Sequence, residues 1–216
     1  MTGSEYRKRK GVLAIGAHPD DIELGCGATL AHLVRKGLYV VAVVMTSGQA
    51  GAAASVDRHE ESRHALKILG CQQIIHLSYP DTCAHTELNN MISTLEDILK
   101  NRSPPDVDII RVYTMHAADR HQDHVAVYKA SVVACRSVPQ ILGYETPSVW
   151  ISFMPQVFGA VDEECFSIKL AALREHKSQC QRDYMSQDRL RTIAQFRGQQ
   201  VGQDLCEGFV IHKMIL

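Results

Sequence analysis

The sequence predicts an α/β domain with a mostly parallel central sheet and helices on both faces. Short apolar runs alternate with amphipathic stretches as far as Pro139, the pattern of successive strand–helix units. One run, Leu38–Met45, is nearly continuous Val and Ala, as in a strand covered on both faces. Glycines stand where the first helical stretches stop.

In chain order, Val12–Ala17 is the first strand. Gly25–Lys36 follows as a helix, with Leu30, Leu33 and Val34 on one face and Gly37 as its stop. Leu38–Met45 is the second strand, and after a loop over Thr46–Ser55 the stretch Val56–Leu69 is helical and closed by Gly70. Gln73–Leu77 is a short strand, Thr86–Asn101 a helix, and Pro104-Pro105 a break. Val107–Thr114 is the fourth strand and Asp123–Arg136 the next helix. Right-handed crossovers set the carboxyl ends of these strands along one edge. Beyond Pro139 the rhythm changes: Ile141–Tyr144, Val149–Phe153 and Phe209–Lys213 read as strands, Cys165–Cys180 and Arg189–Gln200 as helices. No repeat, low-complexity segment or linker divides residues 1–216, so one domain is expected.

Composition excludes several classes. Lys+Arg 23 against Asp+Glu 24 gives a formal charge of −1, which leaves no basic excess for nucleic acid and no acidic tail. The seven cysteines are scattered, odd in number and lack a CxxC pair, so neither a disulfide framework nor a zinc ribbon is expected and free thiols in a reducing compartment fit best. The basic run Arg7-Lys8-Arg9-Lys10 leads into a strand without the apolar segment of a signal peptide. No stretch approaches the ~20 apolar residues of a membrane span. A cytoplasmic protein is the expectation.

Three polar clusters fall at strand carboxyl ends, where open α/β sheets bind ligands. They are His18-Pro19-Asp20-Asp21, then Thr46-Ser47-Gly48-Gln49-Ala50-Gly51 running on to Arg58, then His116 with Asp119-Arg120-His121-Gln122-Asp123-His124. The first offers His18 and Asp21 as metal ligands and leaves Asp20 free to handle a proton. Each cluster alone is also what a helix start looks like, with aspartates near free N–H groups. Two adjacent carboxylates beside a histidine, however, repel one another in a poorly solvated pocket unless a cation sits between them. A histidine from the third cluster completes a site of two imidazoles and one carboxylate, the ligand type of catalytic zinc with an open position for water. Asp123, two residues from His121, is placed to orient and charge that ring. Arg58 could hold a substrate hydroxyl or phosphate, although an arginine at a helix start is more often solvated. Gly25-Cys26-Gly27 is not a dinucleotide fingerprint; it suits close strand–helix packing, and Cys26 reads as a small core residue.

Ala17-His18-Pro19-Asp20-Asp21 with Glu23-Leu24-Gly25-Cys26-Gly27 resembles the signature of the PIG-L/LmbE-like deacetylases. The resemblance continues through Thr46–Gly51, Arg58-His59-Glu60-Glu61 and Leu69-Gly70, resumes at Asp119–His124, and touches Phe196-Arg197-Gly198. It implies a Rossmann-like three-layer α/β sandwich and zinc (Zn2+) held by His18, Asp21 and His124. It further implies Asp20 as general base, a protonated His121 stabilising the oxyanion with Asp123 as its partner, and Arg58 as a substrate contact. The implied reaction is hydrolysis of the N-acetyl group of an N-acetylglucosamine-type amino sugar conjugate by a protein that forms homo-oligomers. Gln122 replaces the usual proline, Gln49 a common glutamate and Ala28 a common glycine, without removing a ligand. The rival readings are a metal-dependent amidase on another acyl amide and a non-catalytic Rossmann-like protein that binds a sugar or nucleotide; pure binding has no use for a spare Asp20.

Overall fold

The computed structural model describes residues 8–53 and 55–215. They form a seven-stranded sheet in the order β3-β2-β1-β4-β5-β7-β6. β1 (Arg9–Gly16) and β2 (Tyr39–Thr46) lie side by side in the sheet interior, buried over nearly their whole length, which is why their sequences are almost wholly apolar. β3 (Gln73–Tyr79), β4 (Val107–Thr114) and β5 (Gln140–Tyr144) complete the parallel part, and β6 (Val157–Ala160) and β7 (Cys206–Met214) add antiparallel pairs at one side. α1 (Asp21–Arg35) and α2 (Arg58–Ile68) pack with α5 (Glu163–Leu173), while α3 (Leu88–Asp97) packs with α4 (Gln122–Ala134). The expected three-layer sandwich with a mostly parallel sheet is therefore present. The chain reverses direction across the sheet between β1 and β4, so the loops after these two strands flank the switch-point crevice.

Several boundaries differ from expectation for local reasons. α1 starts at Asp21, four residues before Gly25, and breaks at Cys26, whose φ of −144° and ψ of 15° are not helical. The expected start at Gly25 thus corresponds to the break between two helical pieces. Buried side chains from the C-terminal third satisfy the backbone groups the break frees. The Lys169 ammonium donates to the Leu24 carbonyl (2.7 Å) and to Glu207 (2.6 Å), and Glu207 accepts the N–H groups of Ala28 (3.1 Å) and Thr29 (2.7 Å). Gly25 is required here because a Cβ would overlap three carbons of the Tyr144 ring, whose hydroxyl donates to the Ile15 carbonyl at 2.8 Å.

α2 begins at Arg58, capped by the Asp57 carboxylate accepting from the Glu60 N–H. α3 ends in a π turn over Ile98–Arg102. The helix expected over Cys165–Cys180 ends at Leu173; His176 turns inward onto Glu23 and the chain continues in short 3-10 turns, Lys177–Gln179 and Asp183–Met185, before α6 (Gln187–Gln199). Val149–Phe153 is not a strand. Pro147 and Pro155 bracket it, Trp150 and Ile151 face solvent, and only Val149 bridges, to Asp119; the edge position falls to β6 instead.

Candidate active site

The loop after β1 is folded tightly enough that its ionisable groups face one cavity. Asp20 adopts a left-handed backbone (φ 102°), and the His18 N–H donates to Asp21 Oδ2 at 2.7 Å. This turn carries Asp21 onto the first residue of α1 and brings it against His18. From the loop after β4, α4 starts at Gln122 with His121 as its cap, so His124 comes round on the first turn to meet the same point. Three donor groups then form a triangle in which each ring nitrogen faces a different oxygen of Asp21. His18 Nδ1 lies 3.3 Å from Asp21 Oδ2, His124 Nε2 lies 3.3 Å from Asp21 Oδ1, and the two ring nitrogens are 3.3 Å apart. Tetrahedral ligation at about 2.0–2.1 Å requires donors about 3.3–3.4 Å apart. The donor set and its edges therefore fit a divalent metal ion. The ring nitrogens of His121 are also close enough to His18 and His124 to join such a group.

Each of the two histidines in the triangle is fixed from behind. His18 Nε2 contacts Asp123 Oδ2 at 3.1 Å and lies 3.4 Å from Asp81 Oδ1. His124 Nδ1 contacts Asp119 Oδ2 at 2.9 Å. These carboxylates hold protons on the outer nitrogens and leave the inner ones as ligands. Asp123 and Asp119 are themselves held: Asp123 accepts from the N–H groups of Thr82 (2.7 Å) and Ala84 (3.0 Å), and Asp119 from the His121 N–H (2.8 Å) and the Thr146 hydroxyl (2.8 Å).

The expected pairing of Asp123 with the His121 ring is not what the structure brings together. The Asp123 carboxylate serves His18, and His121 Nδ1 instead accepts the Asp123 backbone N–H at 3.3 Å, leaving the ring proton on Nε2. Burial, reinforced by the neighbouring His18 and His124, pushes the His121 pKa below 6.5, which works against the protonated ring expected. Sequence spacing pointed to His121 because it is two residues away; the partner selected by the fold is 105 residues away.

Asp20 is buried beside this triangle and contributes no edge to it. Burial, then the charge of Asp21, pushes its carboxyl up to about 7. Opposing this, Arg58 donates to Asp20 Oδ2 at 3.2 Å and also to the carbonyls of Pro19 (2.6 Å) and Gly48 (2.7 Å). Arg58 thus clamps two loops together and lines the cavity, with much of its guanidinium already engaged. The metal-side groups carry the opposite perturbations. Against burial, the Asp21 charge and Asp119 hold His124 at about 9, while hydrogen bonds to Asp123, Asp21 and Asp81 hold His18 well above 6.5. Asp21 lies well below the usual carboxylate range, since the His124 and His18 contacts outweigh its own burial.

The cavity has a volume of about 470 Å³ and admits all of Asp20, Asp21, His18, His121 and His124 to its lining. Its far wall comes from the segment after α5, where Gln179, Arg182 and Tyr184 face the site. That segment is tied down by His176 on Glu23 (2.9 Å) and by Ser178, whose N–H (2.9 Å) and hydroxyl (2.6 Å) both donate to Glu61. Neither this wall nor Asp81 was singled out from sequence. Asp119 could have been, as the carboxylate opening the His121 cluster.

Residues 13–135 match the family model described as PIG-L, GlcNAc-PI de-N-acetylase. The chain belongs to the PIG-L family. It is 70% identical over 175 residues to the uncharacterized deacetylase YaiS of Escherichia coli K12, covering 81% of this chain and 95% of that protein. It is 28% identical over 222 residues to the diacetylchitobiose deacetylase of Thermococcus kodakarensis, covering 92% and 82% respectively. In fold it is similar to a conserved protein from Thermus thermophilus, TT1542, with a TM-score of 0.82, 24% identity, and coverage of 95% and 96%. The PIG-L relatives are named deacetylases, and this chain is accordingly an N-deacetylase, a hydrolase of amide bonds. No helix among the described residues is long and apolar enough to cross a membrane.

Proposed function

We propose that the protein removes the N-acetyl group of an N-acetylglucosamine-type amino sugar conjugate, with zinc held by His18, Asp21 and His124. The observation that carries this reading is the 3.3 Å donor triangle beside a buried carboxylate that is not part of it. An amino sugar is favoured by the family's GlcNAc-PI de-N-acetylase description and by the diacetylchitobiose deacetylase among the relatives. The unpaired cysteines support a reducing, cytoplasmic setting.

When bound, the ion supplies Lewis acidity to the amide carbonyl and the attacking water. The remaining work belongs to the chain. Asp20, whose carboxyl sits at about 7, accepts the proton of the water as it attacks, because a base titrating near the working pH is both available and strong enough. His121 donates a hydrogen bond from Nε2 to the oxygen on which charge develops. Asp20, now protonated, returns the proton to the departing amine. Asp119 and Asp123 hold their imidazoles in the ligating tautomer throughout. Metal analysis of the purified protein, with free amine assayed on N-acetylglucosamine conjugates and on other acyl amides, tests the reading. Equimolar zinc and amine release from the sugar are expected; turnover confined to non-sugar amides, or full activity in a metal-free protein, would overturn it.

A further inference from the structure

A second cavity, of about 260 Å³, adjoins the first and shares Leu24, Pro147 and Tyr184 with it. It reaches along α6, and its chemistry is unlike that of the catalytic cavity. Leu24 and Tyr184 at its entrance and Leu190, Ile193 and Ala194 of α6 give it an apolar wall. Five charged side chains also line it, and each has an oppositely charged partner. Arg197 pairs with Glu145 through two contacts of 2.9 and 2.6 Å, Lys169 with Glu207 at 2.6 Å, and Arg189 with Asp183 at 3.3 Å. No lone charge therefore faces the cavity among the described residues. In the catalytic cavity, by contrast, Arg120 donates to the carbonyls of Pro147 and Ser148 and has no carboxylate partner among the described residues.

We infer that this second cavity is the aglycone subsite and that it selects an uncharged alkyl or aryl group carried by the sugar. This rests on the proposed reading, in which the acetamido group sits at the donor triangle. The rest of the substrate must then leave the catalytic cavity, and the passage between Leu24, Pro147 and Tyr184 is lined for apolar contact. A charged group entering it would lose hydration and gain little, because breaking either buried pair leaves a charge stranded, and the third pair, Arg189–Asp183, is exposed to water, where an ion pair is worth little. An alkyl group loses only its contact with water, which favours transfer.

The test compares methyl, hexyl and 5-carboxypentyl glycosides of N-acetylglucosamine, by calorimetric binding to the metal-loaded protein and by amine release. Hexyl is expected to bind about tenfold or more tighter than methyl, since burying even two methylenes is worth that ratio, and the carboxylated chain no better than methyl. Ile193→Asp puts a charge on the cavity wall at a position already 48% exposed, so the fold tolerates it. It should abolish the hexyl preference and leave methyl glycoside turnover unchanged. Equal binding of hexyl and methyl, a preference for the carboxylated chain, or a hexyl preference that survives Ile193→Asp overturns the subsite. A hexyl preference in binding without amine release from any of the glycosides sustains the subsite and overturns the deacetylation of this sugar class.

Discussion

Replacing Asp123 by asparagine separates the two roles assigned to this residue. The carboxylate accepts from three donors: Oδ2 takes His18 Nε2 at 3.1 Å and the Thr82 N–H at 2.7 Å, and Oδ1 takes the Ala84 N–H at 3.0 Å. Asparagine has one carbonyl oxygen, and its NH2 must face at least one of these donors. If the amide oxygen takes the Oδ1 place beside the Ala84 N–H, the NH2 faces both His18 Nε2 and the Thr82 N–H, so His18 loses its acceptor and its outer nitrogen no longer fixes the ligating tautomer. Loss of such a partner typically lowers metal affinity about 10–100-fold, equivalent to about 1.4–2.7 kcal/mol. The buried donor left facing an NH2 should cost roughly 1–3 kcal/mol of stability besides. The measurement is zinc affinity of the metal-free protein by competition with a chromophoric chelator at neutral pH, with a thermal melt alongside. We expect weaker zinc binding and a lower melting temperature. Zinc affinity equal to that of the unaltered protein, with turnover nevertheless lost, would refute the assignment to His18 and restore the pairing with His121 suggested by their proximity in sequence.

The other predictions follow from the same geometry. His18→Ala and His124→Ala should each lose the metal, whereas His121→Ala should keep it and lose about 10²–10³ in turnover, as for one missing oxyanion donor; metal content and steady-state rate decide this together. The rate should rise with pH as Asp20 loses its proton, and since the Arg58 charge favours the carboxylate, Arg58→Ala should move this acid limb to higher pH in a pH–rate profile. Metal uptake must expel protons held on His18 and His124, so apparent affinity should climb with pH toward about 9, with proton release visible by titration in weakly buffered solution. Gly25→Ala should destabilise the fold by about 1–3 kcal/mol through overlap with Tyr144, read as a lower melting temperature.

What could be read from sequence was what is local. β1 and β2 were legible because strands buried on both faces are apolar without interruption, the His18 cluster because it stands directly after β1, and the His121 cluster because it follows β4 at the same sheet edge. The break in α1 was half legible: the glycines marked it, but a helix start and a helix break look alike when the groups that satisfy the break come from Lys169 and Glu207. Val149–Phe153 departs from the expected strand because apolar alternation suggests one even in a turn whose Trp150 and Ile151 face solvent. Asp123 went to the wrong histidine for the same reason, since proximity along the chain is a poor guide to which ring a buried carboxylate meets.

The mounting of α1 bears on how separable this chemistry is. Every residue assigned to the metal, the proton and the oxyanion lies within the stretch matched by the family model, residues 13–135. The side chains that hold the two pieces of α1 in line, Lys169 and Glu207, and the histidine that anchors Glu23, lie outside it. A chain cut at residue 135 would keep the whole reactive alphabet and lose the frame that spells it. The reactive motif is therefore not a portable cassette: grafted onto another sheet without an equivalent of these three buried anchors, it would bring the right residues to the wrong places.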